Sequence, residues 1–402
     1  MITAKAEPAA PAEEAPRDAL ASNDPSAYLE AVQQRVIHQI RQIIGSNTAT
    51  SAGTSDLLLD YPLRPAKGLR PAISIAVCGA LGADPTAVLP SAAVLEMYHN
   101  AFLLHDDFED GSLLRRGKPT LHRTHGAPTA VNVGDGLLAL TLQPLIDNMS
   151  TIGLGSALSV MEVMSRLGIK TFEGQSLELG WIRDGVWDLT DDDYIGMVVK
   201  KTAWYSFVAP AEIGCVIASA APETSVTLCA MMEALGVAFQ IQDDLLNLQH
   251  VDQYGKEPLG DLWEGKRTLA LLHAIRSADA EKASHARSIL NKPRPHQVTE
   301  ASDAVDVLRR LHENNVLTVA QFEAAVGELR GPAGNTYRTE SDVDFVRDLI
   351  TSTGGVEHAR TVRDHYAART LEMWRHVSRN FRNTSHKRFL NWLIQYVVSR
   401  ER

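Results

Sequence analysis

Apolar residues recur at intervals of three and four along most of this chain, the spacing that places them on one face of an α-helix. A first helix is expected from Pro25, just after a capping Asp24, because Tyr28 and Val32 begin such a face. Further helices are predicted over 70–82, 85–109, 130–150, 156–184, 191–219, 224–249, 266–278, 300–314, 317–328, 342–353, 355–379 and 385–400. We find no convincing alternating pattern of the kind that indicates a strand. The pattern therefore predicts an all-α fold, a large single-domain helical bundle with a pocket among its helices.

Three stretches interrupt this periodicity. Residues 1–24 are rich in Ala, Pro and Glu and have no apolar core of a signal peptide, so we expect a disordered N-terminal tail before one helical domain over 25–402. Residues 54–66 are expected to form a loop. The run 330–335, which contains Gly, Pro and Asn, is expected to be a surface connection.

The composition is that of an ordinary soluble protein, with 402 residues of which 45% are hydrophobic and 22% charged. A net charge of -10 gives no general electrostatic reason to bind nucleic acid or anionic lipid. Cys78, Cys215 and Cys229 lie far apart in apolar helical runs, so we expect reduced core residues of a cytoplasmic protein. Charged residues interrupt every apolar run before the roughly 18 residues that cross a bilayer, and no transmembrane segment is expected.

Two of the apolar runs end in acidic residues. These are Asp106, Asp107 and Asp110 in the first run and Asp243 and Asp244 in the second, where Asn247 stands in place of a third acid. Residues four apart share a helix face, so Asp106 and Asp110 project together. Hard carboxylate oxygens in such a cluster suit Mg²⁺ that carries a phosphate. A single cluster is more often a solvated helix face, but two copies predict two patches that face each other across a cavity.

Basic residues accompany the acids. They are Arg115, Arg116 and Lys118 after the first cluster, Lys67 and Arg70 before a predicted helix, and Lys201 and Lys266 at other helix ends. A guanidinium binds phosphate through two parallel hydrogen bonds, so adjacent arginines can hold two separate phosphates. The alternative for Arg115 and Arg116 is ion pairing with Glu109 and Asp110. Taken with the acids, these cations predict a site that holds more than one diphosphate.

These motifs together resemble those of the trans-isoprenyl diphosphate synthases, the polyprenyl synthetase family, and most closely its geranylgeranyl diphosphate synthases. The matching pieces are Lys67-x-x-Arg70-Pro71, Glu96-x-x-His99, His105-Asp-Asp-x-x-Asp110, Arg115-Arg116-Gly117, Gly134-Asp135, Glu173-Gly-Gln175, Lys201-Thr202, Phe239-Gln-x-x-Asp-Asp244 and Gly260-Asp261-Leu-x-Glu-Gly-Lys266. They follow the family's order between about 65 and 270. The resemblance implies an isoprenoid synthase bundle with a central prenyl pocket, and beyond 270 only the helical pattern supports that fold.

The resemblance also implies an activity, a Mg²⁺-dependent head-to-tail condensation of isopentenyl diphosphate with a dimethylallyl, geranyl or farnesyl diphosphate. It implies three Mg²⁺ ions held by Asp106, Asp110 and Asp243, with Asp107 and Asp244 in supporting roles. By the same resemblance, the allylic diphosphate is held by Arg115, Lys201, Thr202, Gln240 and Lys266, with Lys256 as a further neighbour, and isopentenyl diphosphate by Lys67, Arg70, His99 and Arg116. A homodimer is the family expectation.

The product length is expected to depend on the helix that ends at the first acidic cluster. Ala101, five residues before Asp106, is too small to stop a growing prenyl chain. Tyr98 lies three residues further, about 4.5 Å deeper at 1.5 Å per residue, and is the predicted floor for a C20 product, geranylgeranyl diphosphate. Phe102 is rotated from Ala101 by about 100° and narrows the tunnel without closing it, with farnesyl diphosphate (C15) as the alternative if Phe102 enters the channel.

The sequence departs from the family pattern at two positions, and two other functions are weighed against the proposed one. Gly68 stands where many members have Arg, and Asn247 replaces an aspartate. A class I terpene cyclase would use the same fold but would need no isopentenyl diphosphate site. This function is disfavoured by the residues expected to form such a site, Lys67, Arg70, His99 and Arg116. A non-catalytic partner subunit is disfavoured because all five aspartates of the two clusters are present.

Overall fold

The computed structural model describes residues 20–47, 52–249, 258–294, 307–314, 316–330 and 337–399. In chain order, the α-helices are α1 (Pro25–Asn47), α2 (Ala52–Asp60), α3 (Leu69–Leu81), α4 (Leu89–Glu109), α5 (Leu121–His125), α6 (Ala127–Leu140), α7 (Leu142–Asp147), α8 (Met149–Arg183), α9 (Asp191–Val198), α10 (Ala209–Ile217), α11 (Pro222–Asn247), α12 (Gly260–Glu264), α13 (Leu269–Ser277), α14 (Ala280–Leu290), α15 (307–313), α16 (Val319–Arg330), α17 (Glu340–Ser352), α18 (Gly355–Val377) and α19 (Ser385–Ser399). A π-helix, Val199–Val208, joins α9 to α10. A two-stranded antiparallel ribbon, β1 (Leu114–Arg115) and β2 (Lys118–Pro119), follows α4. The all-α prediction is confirmed.

Some local predictions were wrong. The expected loop at 54–66 contains most of α2, whose nine residues are too few to show a helical period. Helix α14 was missed because its exposed face is polar and only four of its residues are buried. The ribbon was missed because its two-residue strands cannot show alternation. The expected connection after Arg330 lies outside the described residues.

The described part of the chain begins at residue 20, within the stretch expected to be the tail. Residues 1–19 of the expected tail lie outside the described residues. Leu20 is buried, and its carbonyl accepts a hydrogen bond from the Ser385 hydroxyl at 2.7 Å. The Asp24 carboxylate accepts the Ser26 N–H at 3.1 Å, as expected for a residue that caps α1. The packed part of the chain therefore begins before residue 25.

Two hydrophobic cores hold the helices that carry the acidic clusters. The larger core combines buried residues from α1, α3, α4, α6, α10 and α19, among them Ile40, Ile73 and Val94. The smaller core combines α9, α13, α14 and α17 with the end of α11, where Ile241 is buried. Helix α11 also contributes Leu235 to the larger core. The apolar residues of α4 and α11 are packed into these cores. The acidic residues at the ends of the two helices are therefore held in fixed positions.

The π-helix lies in close contact with both α8 and α11. A Cβ atom added at Gly174 on α8 would come within 2.4 Å of the Lys201 backbone nitrogen. A Cβ atom added at Gly236 on α11 would come within 2.6 Å of the Ala203 Cβ. Glycine at both positions therefore allows the three helices to approach and fixes Lys201 between them.

Three described helical segments are long and apolar enough to cross a membrane by length and composition alone: Pro85–Glu109, Met149–Arg183 and Pro222–Asn247. The charged residues therefore do not exclude such segments, contrary to the expectation from sequence. In the first and third, 67% and 56% of the apolar window is buried inside the bundle, so the core accounts for their composition. In Met149–Arg183 only 28% of the window is buried, so α8 presents apolar residues at the surface.

Candidate active site

A cavity of about 610 Å³ lies among α4, α8, the π-helix and α11. The predicted site residues that line it are Lys67, Arg70, His99, Phe102, Asp106, Arg115, Arg116, Lys201, Thr202, Gln240, Asp243, Asp244 and Lys266. Residues from both acidic clusters thus face the same cavity. Asp107, Asp110, Tyr98 and Ala101 do not line it, and Lys256 lies outside the described residues.

Lys201 connects the first acidic cluster to α8. Its ammonium group lies 3.3 Å from the Asp106 carboxylate and forms a second ion pair with Glu178. Burial opposes ionisation of Lys201, but the two carboxylates raise the pKa of Lys201 above its usual value. Burial also opposes ionisation of Glu178, yet Lys201 and Lys266 together lower the pKa of Glu178. Sequence reasoning missed Glu178, although it lies one helical turn after Gln175 of a recognised motif.

Lys266 covers Asp110. Its ammonium group lies 2.9 Å from an Asp110 oxygen and 2.7 Å from a Glu264 oxygen. The Asp110 side chain is only 2% exposed, and its burial raises the pKa of the Asp110 carboxyl to about 8, while Lys266 opposes that rise. Lys266 therefore supplies positive charge directly beside the buried Asp110 carboxylate.

Asp107 points away from the cavity and is fully buried. Its carboxylate accepts hydrogen bonds from the Tyr61 hydroxyl at 2.6 Å and from the Arg115 Nε at 2.8 Å. Burial alone would lower the pKa of Arg115, but the adjacent Asp107 raises the pKa of Arg115 above its usual value. Asp107 therefore supports the site by orienting Arg115. Tyr61 was missed because it lies in the stretch expected to be a loop.

Both aspartates of the second cluster line the cavity, and Asp244 is also held by two neighbouring side chains. Asp243 faces the cavity. Asp244 accepts hydrogen bonds from the Tyr194 hydroxyl at 2.6 Å and from the Gln240 amide at 2.7 Å. Burial raises the pKa of Asp244 to about 8, and the nearby Asp261 carboxylate adds to the rise. Tyr194 and Asp261 were given no role from sequence, and both line the cavity.

Asn247 has a structural role at the end of α11. Its side-chain oxygen accepts the backbone N–H of Asp261 at 3.0 Å, so it fastens the first turn of α12. A carboxylate at this position would accept the same bond but would add a negative charge near Asp243 and Asp244. The amide therefore keeps the contact and avoids the repulsion.

A group of basic side chains lies around His99. Arg116 donates to His99 Nε2 at 3.4 Å, and the Tyr205 hydroxyl lies 3.4 Å from His99 Nδ1. Because arginine has only donors, Nε2 is the acceptor and Nδ1 carries the proton. Burial lowers the pKa of His99 well below its usual value, and Arg70 and Arg116 lower it further, so the imidazole is neutral. Arg70 in turn donates to the Tyr205 hydroxyl at 2.7 Å.

The turn between β1 and β2 aims Arg116 at this group. Arg116 and Gly117 have φ values of 54° and 75°, and two consecutive positive φ values are typical of a type I′ turn. Lys67 lies on the other side of the mouth, where its ammonium group donates to the Tyr396 hydroxyl and lies 4.9 Å from the centre of that ring. Tyr396 lies on α19 and also lines the cavity, and sequence reasoning gave no signal for it. Gly68 caps the N-terminus of α3 and has a φ of 61°.

Phe102 and Leu103 are the apolar residues of α4 that line the cavity. Ala101 is fully buried in the core, and Tyr98 lies behind Phe102 with the two ring centres 5.7 Å apart in an edge-to-face arrangement. Phe102 also contacts Tyr205, with ring centres 6.1 Å apart. Of these two rings on α4, Phe102 lines the cavity and Tyr98 does not.

The residues that line the cavity suit a metal ion bound together with a ligand. Within the described ranges, no three His, Cys, Asp or Glu side chains already converge to hold a metal ion. Asp106 and Asp243 nevertheless present carboxylate oxygens to one cavity, and Mg²⁺ is commonly bound by one or two carboxylates plus substrate phosphates. The donor set therefore fits Mg²⁺ that arrives with a diphosphate.

Comparison with known proteins places these features in a family. Residues 55–308 match the family model for polyprenyl synthetase. The octaprenyl diphosphate synthase of Escherichia coli is 36% identical over 227 residues, which are 56% of this chain and 67% of that protein. The geranylgeranyl diphosphate synthase of Saccharolobus solfataricus is 28% identical over 264 residues, 65% of this chain and 78% of that protein.

A solved structure gives the same result for the fold. The polyprenyl synthase of Caulobacter crescentus, determined with calcium and isoprenyl diphosphate, has 27% sequence identity and a TM-score of 0.71, covering 96% of this chain and 100% of that one. The match to the family model covers more than half of the chain and includes both acidic clusters. The chain therefore belongs to the polyprenyl synthetase family of trans-prenyltransferases.

Proposed function

We propose that this enzyme condenses isopentenyl diphosphate with an allylic diphosphate in the presence of Mg²⁺ and releases geranylgeranyl diphosphate as its main product. The observation that carries the proposal is one cavity with two separate cationic groups. Lys201 and Lys266 lie beside the aspartates, whereas Arg70 and Arg116 lie around His99 and Lys67 lies at the cavity mouth beside Tyr396. Two cationic groups supply charge for two diphosphates.

The allylic diphosphate would bind at the aspartate end. Asp106, Asp110 and Asp243 would hold Mg²⁺, for which we propose three ions, and the bound ions would neutralise charge on the diphosphate. Lys201 and Lys266 are ammonium groups within ion-pair distance of these acids, so they can donate to the diphosphate oxygens as the C–O bond breaks. Arg115, Thr202 and Gln240 line the same part of the cavity and would complete the binding of this diphosphate.

Isopentenyl diphosphate would bind at the His99 end, through charge-assisted hydrogen bonds from Lys67, Arg70 and Arg116. The neutral His99 keeps Arg116 and Tyr205 in place without adding a positive charge. The double bond of isopentenyl diphosphate then attacks the allylic carbocation. Loss of a proton from the adduct to the departing pyrophosphate gives the longer allylic diphosphate.

The length of the product is proposed as C20. Relatives named geranylgeranyl diphosphate synthases support this length. The ring of Phe102 favours a second candidate, the C15 product, because it faces the cavity in front of Tyr98. Product analysis of Phe102 variants separates the two.

We also propose that the enzyme is a cytoplasmic homodimer. Helix α8 exposes Leu154, Leu158, Ile169 and Phe172, each more than half exposed, and exposed apolar groups on one helix are typical of a protein interface. The described cysteines are free thiols, which supports a reducing compartment. Light scattering during gel filtration tests the assembly, and a monomer mass would exclude it.

The activity is tested by incubating the purified enzyme with isopentenyl diphosphate, Mg²⁺ and each allylic primer, followed by chromatography of the dephosphorylated products. We expect geranylgeraniol as the main product, and none when isopentenyl diphosphate is omitted or in the Asp243→Ala control. A cyclic product from an allylic diphosphate alone would identify a terpene cyclase instead. Absence of any elongated product with all primers would overturn the proposal.

A further inference from the structure

Arg338, which precedes α17, is buried beside the loop that carries Lys266. Its side chain is 3% exposed. The guanidinium donates to five backbone carbonyl oxygens, those of Leu262, Trp263, Ile289, Leu290 and Lys292. The distances to the Leu290 and Lys292 oxygens are 2.7 and 3.0 Å. A single side chain thus contacts two separate segments of backbone.

These carbonyls lie at the ends of two helices. Leu262 and Trp263 are in the last turn of α12, and Ile289 and Leu290 are the last residues of α14. Carbonyl groups in the last turn of a helix have no partner within the helix and carry partial negative charge. A guanidinium has five donors in a rigid fork, so Arg338 can satisfy both helix ends at once. It therefore joins α12 to α14.

A second buried arginine holds the other side of the same loop. Arg267 is 1% exposed and donates to the carbonyl oxygens of Gly265, Val186 and Trp181. Its guanidinium also lies 3.7 Å from the centre of the Trp187 ring. Gly265 has a φ of 75°, and a Cβ atom there would come within 3.2 Å of Arg338 Nη2. Lys266 is thus flanked by residues whose backbone positions are fixed from both sides.

We propose that Arg338 is a positioning residue for the allylic diphosphate site, because it fixes the end of α12 and so holds Lys266 in place at Asp110. The backbone also links these groups, since the Lys266 N–H donates to the Asp261 carbonyl of α12 at 2.9 Å. Arg338 lies outside the residues that match the family model, so the C-terminal segment contributes to the site. The inference rests on the proposed role of Lys266 in binding a diphosphate.

The test compares Arg338→Lys, Lys266→Ala and the double variant. For each we would measure the KM of both substrates, and the affinity for inorganic pyrophosphate with Mg²⁺ by calorimetry. Arg338→Lys keeps a positive charge but loses the planar guanidinium that donates to both helix ends, so Lys266 should lose its fixed position. We expect the KM for the allylic substrate to rise about tenfold, as for loss of one charge-assisted hydrogen bond, and the KM for isopentenyl diphosphate to change less than about twofold. Pyrophosphate should bind about tenfold more weakly. In the Lys266→Ala background, Arg338→Lys should add no further loss, because coupled residues are not additive.

The matched control is Ile40→Ala, which removes a buried side chain from α1 in the larger core, whereas Leu262 and Leu290 belong to the smaller core. It should lower the melting temperature and leave both KM values unchanged. If Arg338→Lys fails to fold, Gly265→Ala disturbs the same contact with the arginine retained and should show the same selective rise in KM. Equal rises in both KM values, or an additive double variant, would overturn the inference. Normal pyrophosphate binding by Lys266→Ala would instead contradict the proposed role of Lys266 itself.

Discussion

Asp106 and Asp107 are neighbours in the sequence, yet we expect opposite consequences when each loses its charge. Asp107→Asn leaves the Arg115 guanidinium buried opposite a neutral amide, and breaking a buried ion pair from one side costs about 3–5 kcal/mol. The lower end of this range is expected, because Arg115 also lies 3.5 Å from the Asp106 carboxylate and keeps that partner. Tyr61→Phe, which removes one hydrogen bond to the Asp107 carboxylate, should cost about 1.5–3 kcal/mol.

Asp106→Asn should leave the fold almost unchanged. The Asp106 side chain is 22% exposed, and its partner Lys201 keeps its ion pair with Glu178, so the loss should stay below about 1 kcal/mol. Turnover should nevertheless fall by several orders of magnitude, because Asp106 is a proposed metal ligand. Urea unfolding followed by circular dichroism, together with product formation at saturating Mg²⁺, checks both statements. The reasoning fails if Asp107→Asn unfolds at the wild-type urea concentration, or if Asp106→Asn is the less stable of the two.

Three further outcomes are expected. Phe102→Ala should lengthen the product by at least one isoprene unit, whereas Tyr98→Ala alone should not, because Phe102 stands in front of Tyr98. Chromatography of the products measures the chain length. An unchanged product distribution in the double variant would mean that a residue on another helix limits the chain length. Tyr396→Phe should raise the KM for isopentenyl diphosphate about tenfold and leave that for the allylic substrate unchanged, since it removes the hydrogen bond of Lys67; equal changes in steady-state kinetics would contradict this. Without metal, in EDTA, the free energy of unfolding should fall as the pH rises from about 4 through 8. The raised pKa of Asp244 means that over this range the folded state still binds a proton that the unfolded chain has released. Urea unfolding of Asp244→Asn should show a smaller fall than the wild type, and an equal fall would contradict the assignment.

Much of the fold and one half of the site could be predicted because they depend on short-range spacing. The 3.6-residue period of buried positions gave most of the long helices, and the spacing of Asp106 and Asp110 on α4 gave a shared face. Asp243 on α11 followed from the repeat of the same pattern. The family prediction is confirmed by the match over 55–308.

The remaining parts depend on contacts between distant segments, which spacing does not encode. Tyr396 reaches Lys67 from the last helix, 329 residues away in the chain. Asp110 was expected to be a metal ligand on the same face as Asp106, and spacing could not show that a lysine from the α12–α13 loop lies 2.9 Å from its carboxylate. Tyr98 and Phe102 are four residues apart and share a face of α4, so spacing does not decide which ring lines the cavity; packing on the core places Phe102 there.

Helix α19 has a practical consequence for handling the protein. Its first residue, Ser385, binds the carbonyl of Leu20, and Tyr396 near its other end binds Lys67 at the cavity. The two ends of α19 therefore contact two distant parts of the described chain. A truncation that removes α19 would lose both contacts at once, so it would open the cavity mouth at Lys67 and expose Leu20 in the same step.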